Sequence, residues 1–440
     1  MLLVTENYVK LIRSIDPVRV NGKITQIIGL TIESQGPDVR IGELCSIYPS
    51  HSQVPIQAEV VGIKENKVLL MPLGEVQAIG PGCDVVASGK PLSVKAGNQL
   101  LGRILDGLGQ PMDGKPLPVG LEEVPIHAKP PNPLSRPRIQ SPLGVGVRTI
   151  DGLLPMGKGQ RVGIFAGSGV GKSTLLGMIS RNTTADVNVI ALIGERGREV
   201  LDFLEQNLGE EGLKKSVVIV ATSDQPALIR IKGALTATSI AEYFRDQGKD
   251  VMLVMDSVTR FAMAQREIGL AIGEPPTTKG YTPSVFAMLP QLLERAGTGP
   301  KGSISAIYTV LVDGDDMNEP IADAVRGILD GHIVLSRAIG GKGIFPSIDV
   351  LNSASRVMSE ITPEDHQRAA QNFKKLLATY NEAEDLVNIG AYKKGSSREI
   401  DLALRLKPHM DQFLRQGIYE PSQFEETQSF LIKQFGAMMR

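Results

Sequence analysis

The 440-residue sequence predicts an α/β protein with a mostly parallel sheet, preceded by a small β-barrel and followed by a helical domain. Three observations predict this fold: short Val- and Ile-rich runs before residue 90, apolar runs that alternate with amphipathic stretches after residue 151, and the loss of strand patterns beyond residue 360. Strand and helix in alternation are typical of a doubly wound sheet. The predicted domains are 1–90, 91–150, 151–360 and 361–440.

The first domain, 1–90, combines a short leading helix with the barrel. Residues 2–15 place apolar side chains at helical spacing, which is typical of an amphipathic helix. A docking element and an arm packed on its own domain fit this pattern equally well. The runs VRVNGKI, AEVVGI and KVLLMPL, broken by Gly, Asn and Pro, have the length and spacing of strands in a small closed barrel.

The second segment, 91–150, is a connector rich in Pro and Gly, which predicts an extended, structured linker rather than a helix. Six apolar runs follow it and predict the strands of the sheet: RVGIFAG, VNVIALIG, SVVIVATS, DVMLVMDS, ISAIYTVLV and HIVLSR. The tail, 361–440, reads as a helical bundle.

Composition excludes several classes of protein. The net charge of −1 gives no support for a polyanion partner held by bulk charge. Cys45 and Cys83 are too few for a disulfide framework or a zinc site, which indicates reduced thiols in a cytosolic protein. No apolar run approaches the roughly 20 residues that span a bilayer, and the N-terminus does not resemble a signal peptide. We expect a cytosolic protein, or one that docks on a membrane from the cytosolic side.

The segment AGSGVGKST, 166–174, follows an apolar strand and opens a helix, which is the setting of a phosphate-binding P-loop. Its glycines let backbone amides turn toward phosphate oxygens, and the helix N-terminus favours an anion. Lys172 is predicted to contact the β- and γ-phosphates, and the Ser173 hydroxyl to contact Mg²⁺. The predicted nucleotide-binding residues are Gly167, Ser168, Gly169, Val170, Gly171, Lys172, Ser173 and Thr174.

Two acidic residues after apolar strands complete the predicted chemistry. Asp256 ends the strand DVMLVMDS, where a carboxylate can hold Mg²⁺ directly or through water. Glu195 lies in GERGRE, after a strand that we expect to neighbour the P-loop strand, and a carboxylate there can orient and deprotonate an attacking water. A salt-bridged surface cluster is the alternative interpretation of GERGRE.

Arg356 lies in PSIDVLNSASRVM, 346–358, far along the chain from the P-loop. It fits two interpretations. One is a surface arginine; the other is an arginine finger inserted into a neighbouring subunit's nucleotide site, where such residues raise kcat by roughly 10³–10⁵-fold. The residue types alone do not choose between them.

These motifs, in this order, resemble the α/β-type rotary ATPase superfamily over nearly the whole chain, and PSIDVLNSAS is similar to its characteristic segment. The resemblance implies a barrel, a RecA-like P-loop domain and a C-terminal helical domain, with ATP and Mg²⁺ as nucleotide and cofactor. It implies that Glu195 is the catalytic carboxylate, that Arg196 and Arg260 support the site, and that Arg356 acts in trans in a closed homohexamer.

Three segments are most similar to the type III export branch of that superfamily, and to its flagellar members in particular: 164–179, 280–299 and 310–337. This resemblance implies an ATPase at the inner face of the cytoplasmic membrane that unloads export substrates from chaperones. The implied partners are export-gate membrane proteins, a regulator, a coiled-coil stalk protein and chaperone-bound substrates. By the same analogy, the loop 273–283 lines the central pore; an ordinary helix connection is the alternative.

Two departures from the superfamily affect these expectations. The turn 390–399 carries Lys393 and Lys394 where the ATP synthase catalytic subunit has an acidic loop that meets its rotor. Gln367 stands where an adenine-stacking aromatic is expected, whereas Phe424 resembles the other adenine-side aromatic. A core position is the alternative for Phe424.

Other functions remain as alternatives. A hexameric RNA translocase would need basic and aromatic residues for stacking along a single strand. The barrel sequence has few aromatic residues and no basic run, so no nucleic-acid partner is expected. A non-catalytic ring subunit would lack Glu195. The catalytic subunit of a rotary ATP synthase and the virulence-injectisome version of the export ATPase are the closest alternatives.

Overall fold

The computed structural model describes residues 21–50, 54–74, 78–312, 314 and 316–436. The helix predicted at 2–15 lies outside them. The chain divides into two compact units: the first extends to Leu92 and includes Ile268–Glu274, and the second comprises Ser93–Glu267 and the chain from Pro275 onward. Within the described ranges, no helix is long and apolar enough to cross a membrane.

The first unit contains a closed barrel of six antiparallel strands in the order β1-β2-β5-β4-β3-β6. The strands are β1 (Gly22–Ile28), β2 (Thr31–Gln35), β3 (Glu43–Tyr48), β4 (Ile56–Lys64), β5 (Lys67–Pro72) and β6 (Asp84–Pro91). Cys45 and Cys83 are free thiols inside its apolar core. Burial, reinforced by Glu43, raises the pKa of Cys45 to about 12, so this thiol stays neutral.

The second unit is built on a nine-stranded sheet, and all six strands predicted for it are present. Its main path runs β19-β18-β12-β17-β15-β13-β14-β8; β19 is antiparallel to β18, and β16 adds antiparallel to β17. The strands after the barrel are β7 (Ser93–Ala96), β8 (Ile104–Asp106), β9 (Glu122–Pro125), β10 (Pro142–Leu143), β11 (Met156–Gly157), β12 (Arg161–Ala166), β13 (Val187–Ile193), β14 (Ser216–Ala221), β15 (Asp250–Asp256), β16 (Gly297–Thr298), β17 (Ser303–Leu311), β18 (Gly331–Leu335) and β19 (Ile348–Ser355).

The helices cover the sheet and form the C-terminal domain. They are α1 (Arg148–Leu153), α2 (Lys172–Asn182), α3 (Gly197–Asp202), α4 (Gly209–Lys214), α5 (Ala227–Asp246), α6 (Val258–Ala271), α7 (Pro283–Leu293), α8 (Pro320–Ile328), α9 (Arg337–Gly341), α10 (Met358–Ile361), α11 (Glu364–Asn388), α12 (Arg398–Leu414) and α13 (Phe424–Phe435). A π-helical turn, Phe203–Leu208, joins α3 to α4. Every residue of β13 and β14 is buried, because helices cover both faces of the parallel sheet.

The C-terminal domain packs α11, α12 and α13 around three phenylalanine rings. The Phe373 ring lies 5.4 Å from the Phe413 ring and 4.9 Å from the Phe435 ring, measured between centroids. His366 Nε2 lies 2.7 Å from the Gly152 carbonyl oxygen of α1, which ties the helical domain to the start of the sheet domain.

A buried ion pair joins α5 to the chain after α7. The Arg295 guanidinium is bidentate to Glu242, at 3.0 and 2.6 Å, and also donates to the Ile126 carbonyl and the Ser239 hydroxyl. Arg295 is 2% exposed, so its charge depends on these partners rather than on water.

We expect Arg295→Met to lower the free energy of unfolding by about 3–5 kcal/mol, because it leaves the Glu242 carboxylate buried without its counter-ion. Urea unfolding followed by circular dichroism measures this change. Arg368→Met is the matched control, since it breaks the exposed Arg368–Asp365 pair and should cost less than about 1 kcal/mol. Equal effects of the two substitutions would contradict the prediction.

Candidate nucleotide-binding site

The predicted P-loop lies between the carboxyl end of β12 and the start of α2. Gly169 and Gly171 have φ values of 77° and 90°, in the left-handed region that glycine adopts without strain. A side chain at either position would meet no atom within 4 Å, so backbone conformation rather than space requires glycine here. The loop and the first turn of α2 therefore present free backbone amides to an anion.

The loop borders a cavity of about 420 Å³. The cavity brings together nearly all the predicted P-loop residues and the predicted residues of GERGRE. It is lined by Ala166, Gly167, Ser168, Gly169, Gly171, Lys172, Ser173, Thr174, Glu195, Arg196, Glu199, Arg260, Leu311 and Val312. Val170, also predicted, is buried behind the loop, where its carbonyl accepts a hydrogen bond of 2.7 Å from the Ser347 hydroxyl.

Lys172 links the two predicted carboxylates. Its Nζ lies 2.5 Å from Asp256 Oδ1 and 3.5 Å from Glu195 Oε1. The Thr309 hydroxyl, which sequence reasoning missed, donates to the same Asp256 oxygen at 2.6 Å. Asp256 is only 3% exposed, so these two contacts hold its carboxylate in one orientation.

The strand order differs from one expectation. The strand before Glu195, β13, does not neighbour the P-loop strand β12; β17 and β15 lie between them. Glu195 still reaches the cavity, because all four strands are parallel and their carboxyl ends meet at one edge of the sheet. The expected adjacency was wrong, but Glu195 lies in the same cavity as the P-loop all the same.

Burial and neighbouring charges shift the pKa values of Lys172 and Glu195. Burial by itself would lower the pKa of Lys172, but the Asp256 and Glu195 carboxylates outweigh it, and the pKa is raised. Burial and the neighbouring Asp256 charge raise the pKa of Glu195 to about 7, although Lys172 acts in the opposite direction. Glu195 can therefore accept or release a proton near neutral pH.

The two arginines near Glu195 differ in how closely their side chains are packed. Arg196 is largely exposed and lies 3.6 Å from Glu199. Arg260 packs against the backbone of Gly194, where a β-carbon would approach its side chain to 2.7 Å. Glycine at 194 thus leaves room for Arg260 at the cavity wall.

The structure does not bring Arg356 to this cavity. Arg356 follows β19, which runs antiparallel to β18, so it lies at the opposite edge of the sheet from the P-loop. Its backbone amide donates to Asp330, which pairs with Arg161 at the first residue of β12. The length of β12, roughly 3.3 Å per residue, separates this edge from the P-loop. Arg356 cannot reach the nucleotide site of its own chain.

The structure does not bring Phe424 to the P-loop either. Phe424 is 9% exposed and lies beside Gly144 and Thr184, which follows the far end of α2. Eleven residues of helix place that end roughly 16 Å from the P-loop. Phe424 packs in the core, 6.1 Å from the His366 ring, and no adenine contact follows from this position.

An aromatic residue that sequence reasoning missed lies near the loop instead. Phe345 is 52% exposed and precedes Ser347, the residue that donates to the Val170 carbonyl. The Arg337 guanidinium, one helix earlier, donates to the Ser168 carbonyl. Phe345 therefore lies on the segment that packs against the P-loop. The signal in the sequence was an aromatic residue next to the motif PSIDVLNSAS.

The oxygen donors around Lys172 fit Mg²⁺ only together with a nucleotide. The Ser173 hydroxyl and the Asp256 carboxylate are hard donors of the kind that Mg²⁺ prefers. Within the described part of the chain, no group of three or more His, Cys, Asp or Glu residues is arranged to hold a metal ion. Phosphate oxygens and water would have to complete the coordination, as is usual for a metal that arrives with its nucleotide.

Comparison with protein families places each part of the chain. Residues 24–89 match the beta-barrel domain of the ATP synthase alpha/beta family, and residues 146–355 match the nucleotide-binding domain of that family. Residues 362–433 match the T3SS EscN ATPase C-terminal domain.

Individual relatives extend over almost the whole chain. The chain is 61% identical to the flagellum-specific ATP synthase of Bacillus subtilis, over 96% of this chain and 97% of that protein. It is 51% identical to the type 3 secretion system ATPase of Xanthomonas euvesicatoria, over 93% of each. The structure of the assembled ATPase EscN from enteropathogenic E. coli superposes with a TM-score of 0.88 at 50% identity, covering 94% of this chain and 99% of that one.

The fold and the cavity define a P-loop ATPase whose nucleotide site lies at the carboxyl edge of a parallel sheet. The chain belongs to the ATP synthase alpha/beta family, within the branch of flagellum-specific ATP synthases and type 3 secretion system ATPases.

If Glu195 accepts a proton from the attacking water, kcat/KM for ATP should rise with pH through about 7, because the carboxyl group must first lose its own proton. Steady-state rates from roughly pH 6 to pH 8 measure this limb. Glu195→Gln should lower the rate about 10²–10⁴-fold and remove the limb. A wild-type profile without this rise, or a Glu195→Gln profile that keeps it, would show that another group titrates.

Proposed function

We propose that this chain hydrolyses ATP at the P-loop cavity and thereby energises flagellar type III protein export. The observation that carries the hydrolysis is the position of Lys172, between the Asp256 and Glu195 carboxylates in a cavity lined by the P-loop. The assignment to flagellar export is supported by a flagellum-specific ATP synthase and a type 3 secretion system ATPase that match the chain nearly end to end.

The groups that line the cavity have different roles in the reaction. Backbone amides of the P-loop bind the phosphates, and the Lys172 ammonium moves from Asp256 toward the β- and γ-phosphates as they arrive. Glu195 orients the attacking water and accepts its proton. Arg196, which is exposed and lines the cavity, supports the charge that develops on the γ-phosphate.

Magnesium would be held by the Ser173 hydroxyl and the Asp256 carboxylate. When bound, it would neutralise phosphate charge as a Lewis acid. The departure of Lys172 from Asp256 would leave that carboxylate oxygen available, while Thr309 keeps it oriented.

Arg356 would act on the nucleotide of a neighbouring copy in a closed homohexameric ring. Support comes from its place at the edge opposite its own P-loop, where it is exposed. The related ATPase EscN is described as assembled, and a second structure contains it with its central stalk EscO; that ATPase superposes with a TM-score of 0.87. A ring completes each site from two chains, which a monomer cannot do.

The partners that we propose follow from this branch of the family: a coiled-coil stalk protein, a regulator, export-gate membrane proteins and chaperone-bound substrates. Peripheral association with the inner face of the cytoplasmic membrane, and a pore lined by the loop 273–283, belong to the same proposal.

An injectisome role is the second candidate function, because the Xanthomonas relative and EscN are both about half identical to this chain. Residues 362–433 of this chain match the T3SS EscN ATPase C-terminal domain, which argues against the alternative that the chain is a subunit of a rotary ATP synthase.

Phe345 is the side chain that we propose for adenine. It is exposed, aromatic and anchored through Ser347 to the P-loop, so a base could stack on its ring beside the phosphates.

Lys172→Ala and Arg356→Ala should each be nearly inactive, and a mixture of the two should regain activity. Each site would need Lys172 from one chain and Arg356 from the next, so random mixing restores about a quarter of the sites. Mixing the two variants before assembly, then assaying ATP hydrolysis, measures the gain. Two inactive variants that remain inactive together in rings of normal size would contradict action in trans.

Phe345→Ala should raise KM for ATP about tenfold, because base stacking on an aromatic ring contributes roughly 1–3 kcal/mol. Phe345→Tyr keeps the ring and should stay near the wild-type KM. The prediction fails if both variants bind ATP as the wild type does.

A further inference from the structure

A cleft of about 220 Å³ opens beside Arg356, at the edge of the sheet opposite the P-loop. One wall is the chain around Arg356 and Met358, and the other is a single face of α11. Residues of that face follow one another at helical spacing: Gln367, Ala370, Gln371 and Lys374. Ser355 and Ser359 complete the lining.

The cleft carries two positive charges and no negative charge among its lining residues. The Arg356 guanidinium donates to the Arg326 backbone carbonyl, at 3.3 Å. In the portion of the chain that the structure describes, neither Arg356 nor Lys374 forms an ion pair with a carboxylate. Two cations in one cleft repel each other, so the cleft favours an anion from elsewhere.

Lys374 differs from an ordinary surface lysine. Its neighbour Lys375 points away from the cleft and pairs with Glu399 at 3.1 Å. Lys374 is half-buried on the cleft side of α11, and this burial lowers its pKa. An ammonium held there gains more from an incoming anion than an exposed one does, because less water screens the interaction.

The P-loop cavity has nearly balanced charges. Its basic side chains, Lys172, Arg196 and Arg260, are matched in number by the acidic groups Glu195, Glu199 and Asp256 around them. A nucleotide triphosphate that enters it with a divalent metal retains negative charge that these described side chains leave uncompensated. The cleft beside Arg356 offers the missing positive charge on a separate surface.

We propose that Lys374 is a second cation supplied in trans, and that it binds the phosphates of the nucleotide held by the P-loop of a neighbouring copy of this chain. This inference rests on the proposed action of Arg356 between chains. Lys374 lies on α11 and contacts phosphates that already carry their charge before the reaction, so it binds the ground state and the transition state alike. It therefore affects KM rather than kcat.

The test compares Lys374→Gln with the matched control Lys375→Gln, at protein concentrations where light scattering shows complete rings. We expect Lys374→Gln to raise KM for ATP about tenfold with kcat nearly unchanged, as for the loss of one charge-assisted contact. Lys374→Arg should restore the wild-type KM, and Lys375→Gln should match the wild type.

A mixture of Lys374→Gln with the inactive Lys172→Ala variant tests the direction of action. Sites with an intact P-loop then receive a native Lys374 from their Lys172→Ala neighbours, so the KM of the mixture should return toward the wild-type value. A KM that stays raised in mixed rings would place Lys374 in its own chain's site and overturn the inference.

Further outcomes distinguish a failure of this inference from a failure of the proposed function. If Arg356→Ala is nearly inactive while Lys374→Gln keeps the wild-type KM, this inference falls and the proposed function stands. If Arg356→Ala is fully active, the proposed arrangement between chains falls, and this inference falls with it. Loss of rings in Lys374→Gln would mean that the cleft receives an acidic side chain of the neighbour rather than a phosphate, which also overturns it.

Discussion

The ion pair between Lys172 and the buried Asp256, at 2.5 Å, is the interaction on which the nucleotide site depends. A buried carboxylate without a counter-ion would be strongly destabilising, so the lysine holds the end of β15 and the P-loop together before any nucleotide arrives. Lys172 also lies 3.5 Å from Glu195 and moderates the rise in the pKa of that carboxylate, which would otherwise be set by burial and by Asp256. One ammonium thus prepares the site for phosphate and tunes the residue that is proposed to activate water.

The polarity of the sheet determines which residues can cooperate within one chain. Parallel strands bring the P-loop, Glu195 and Asp256 to the same carboxyl edge, although they are distant in sequence. The antiparallel strand β19 reverses direction and carries Arg356 to the other edge. The same sheet that brings these residues together therefore keeps Arg356 away from them, and an arginine at that edge could act on a nucleotide only in another copy.

Much of this architecture could be predicted from the sequence, because the signals were local. The six strands of the sheet are continuous apolar runs, and the P-loop is a short motif between a strand and a helix. Strand order was not predictable in this way: β13 was expected beside β12, but its position depends on helix packing across the whole sheet. The strand β8 was missed because only three residues of a Pro- and Gly-rich segment join the edge of the sheet.

Two aromatic residues also show that local sequence patterns do not reveal contacts between distant segments. Phe424 and Phe345 are both phenylalanines outside the P-loop, and sequence alone does not reveal which is exposed. Tertiary contacts decide it: Phe424 packs beside His366 in the core, whereas Phe345 is carried to the P-loop by the Ser347 hydrogen bond. The connection runs through side-chain and backbone contacts between segments more than 170 residues apart, which no local pattern records.

The charge distribution gives a physical reason why the proposed hydrolysis would depend on assembly of the ring. The P-loop cavity is balanced by its own side chains, while the cleft beside Arg356 has unpaired positive charge. A nucleotide bound in the cavity would therefore attract the cleft of the next chain, and the cleft would in turn tighten the nucleotide. These two effects are equal in free energy, because linkage between binding and assembly is reciprocal. If Arg356 and Lys374 act in trans as proposed, an isolated chain binds nucleotide without these two cations and should hydrolyse ATP slowly until a ring forms.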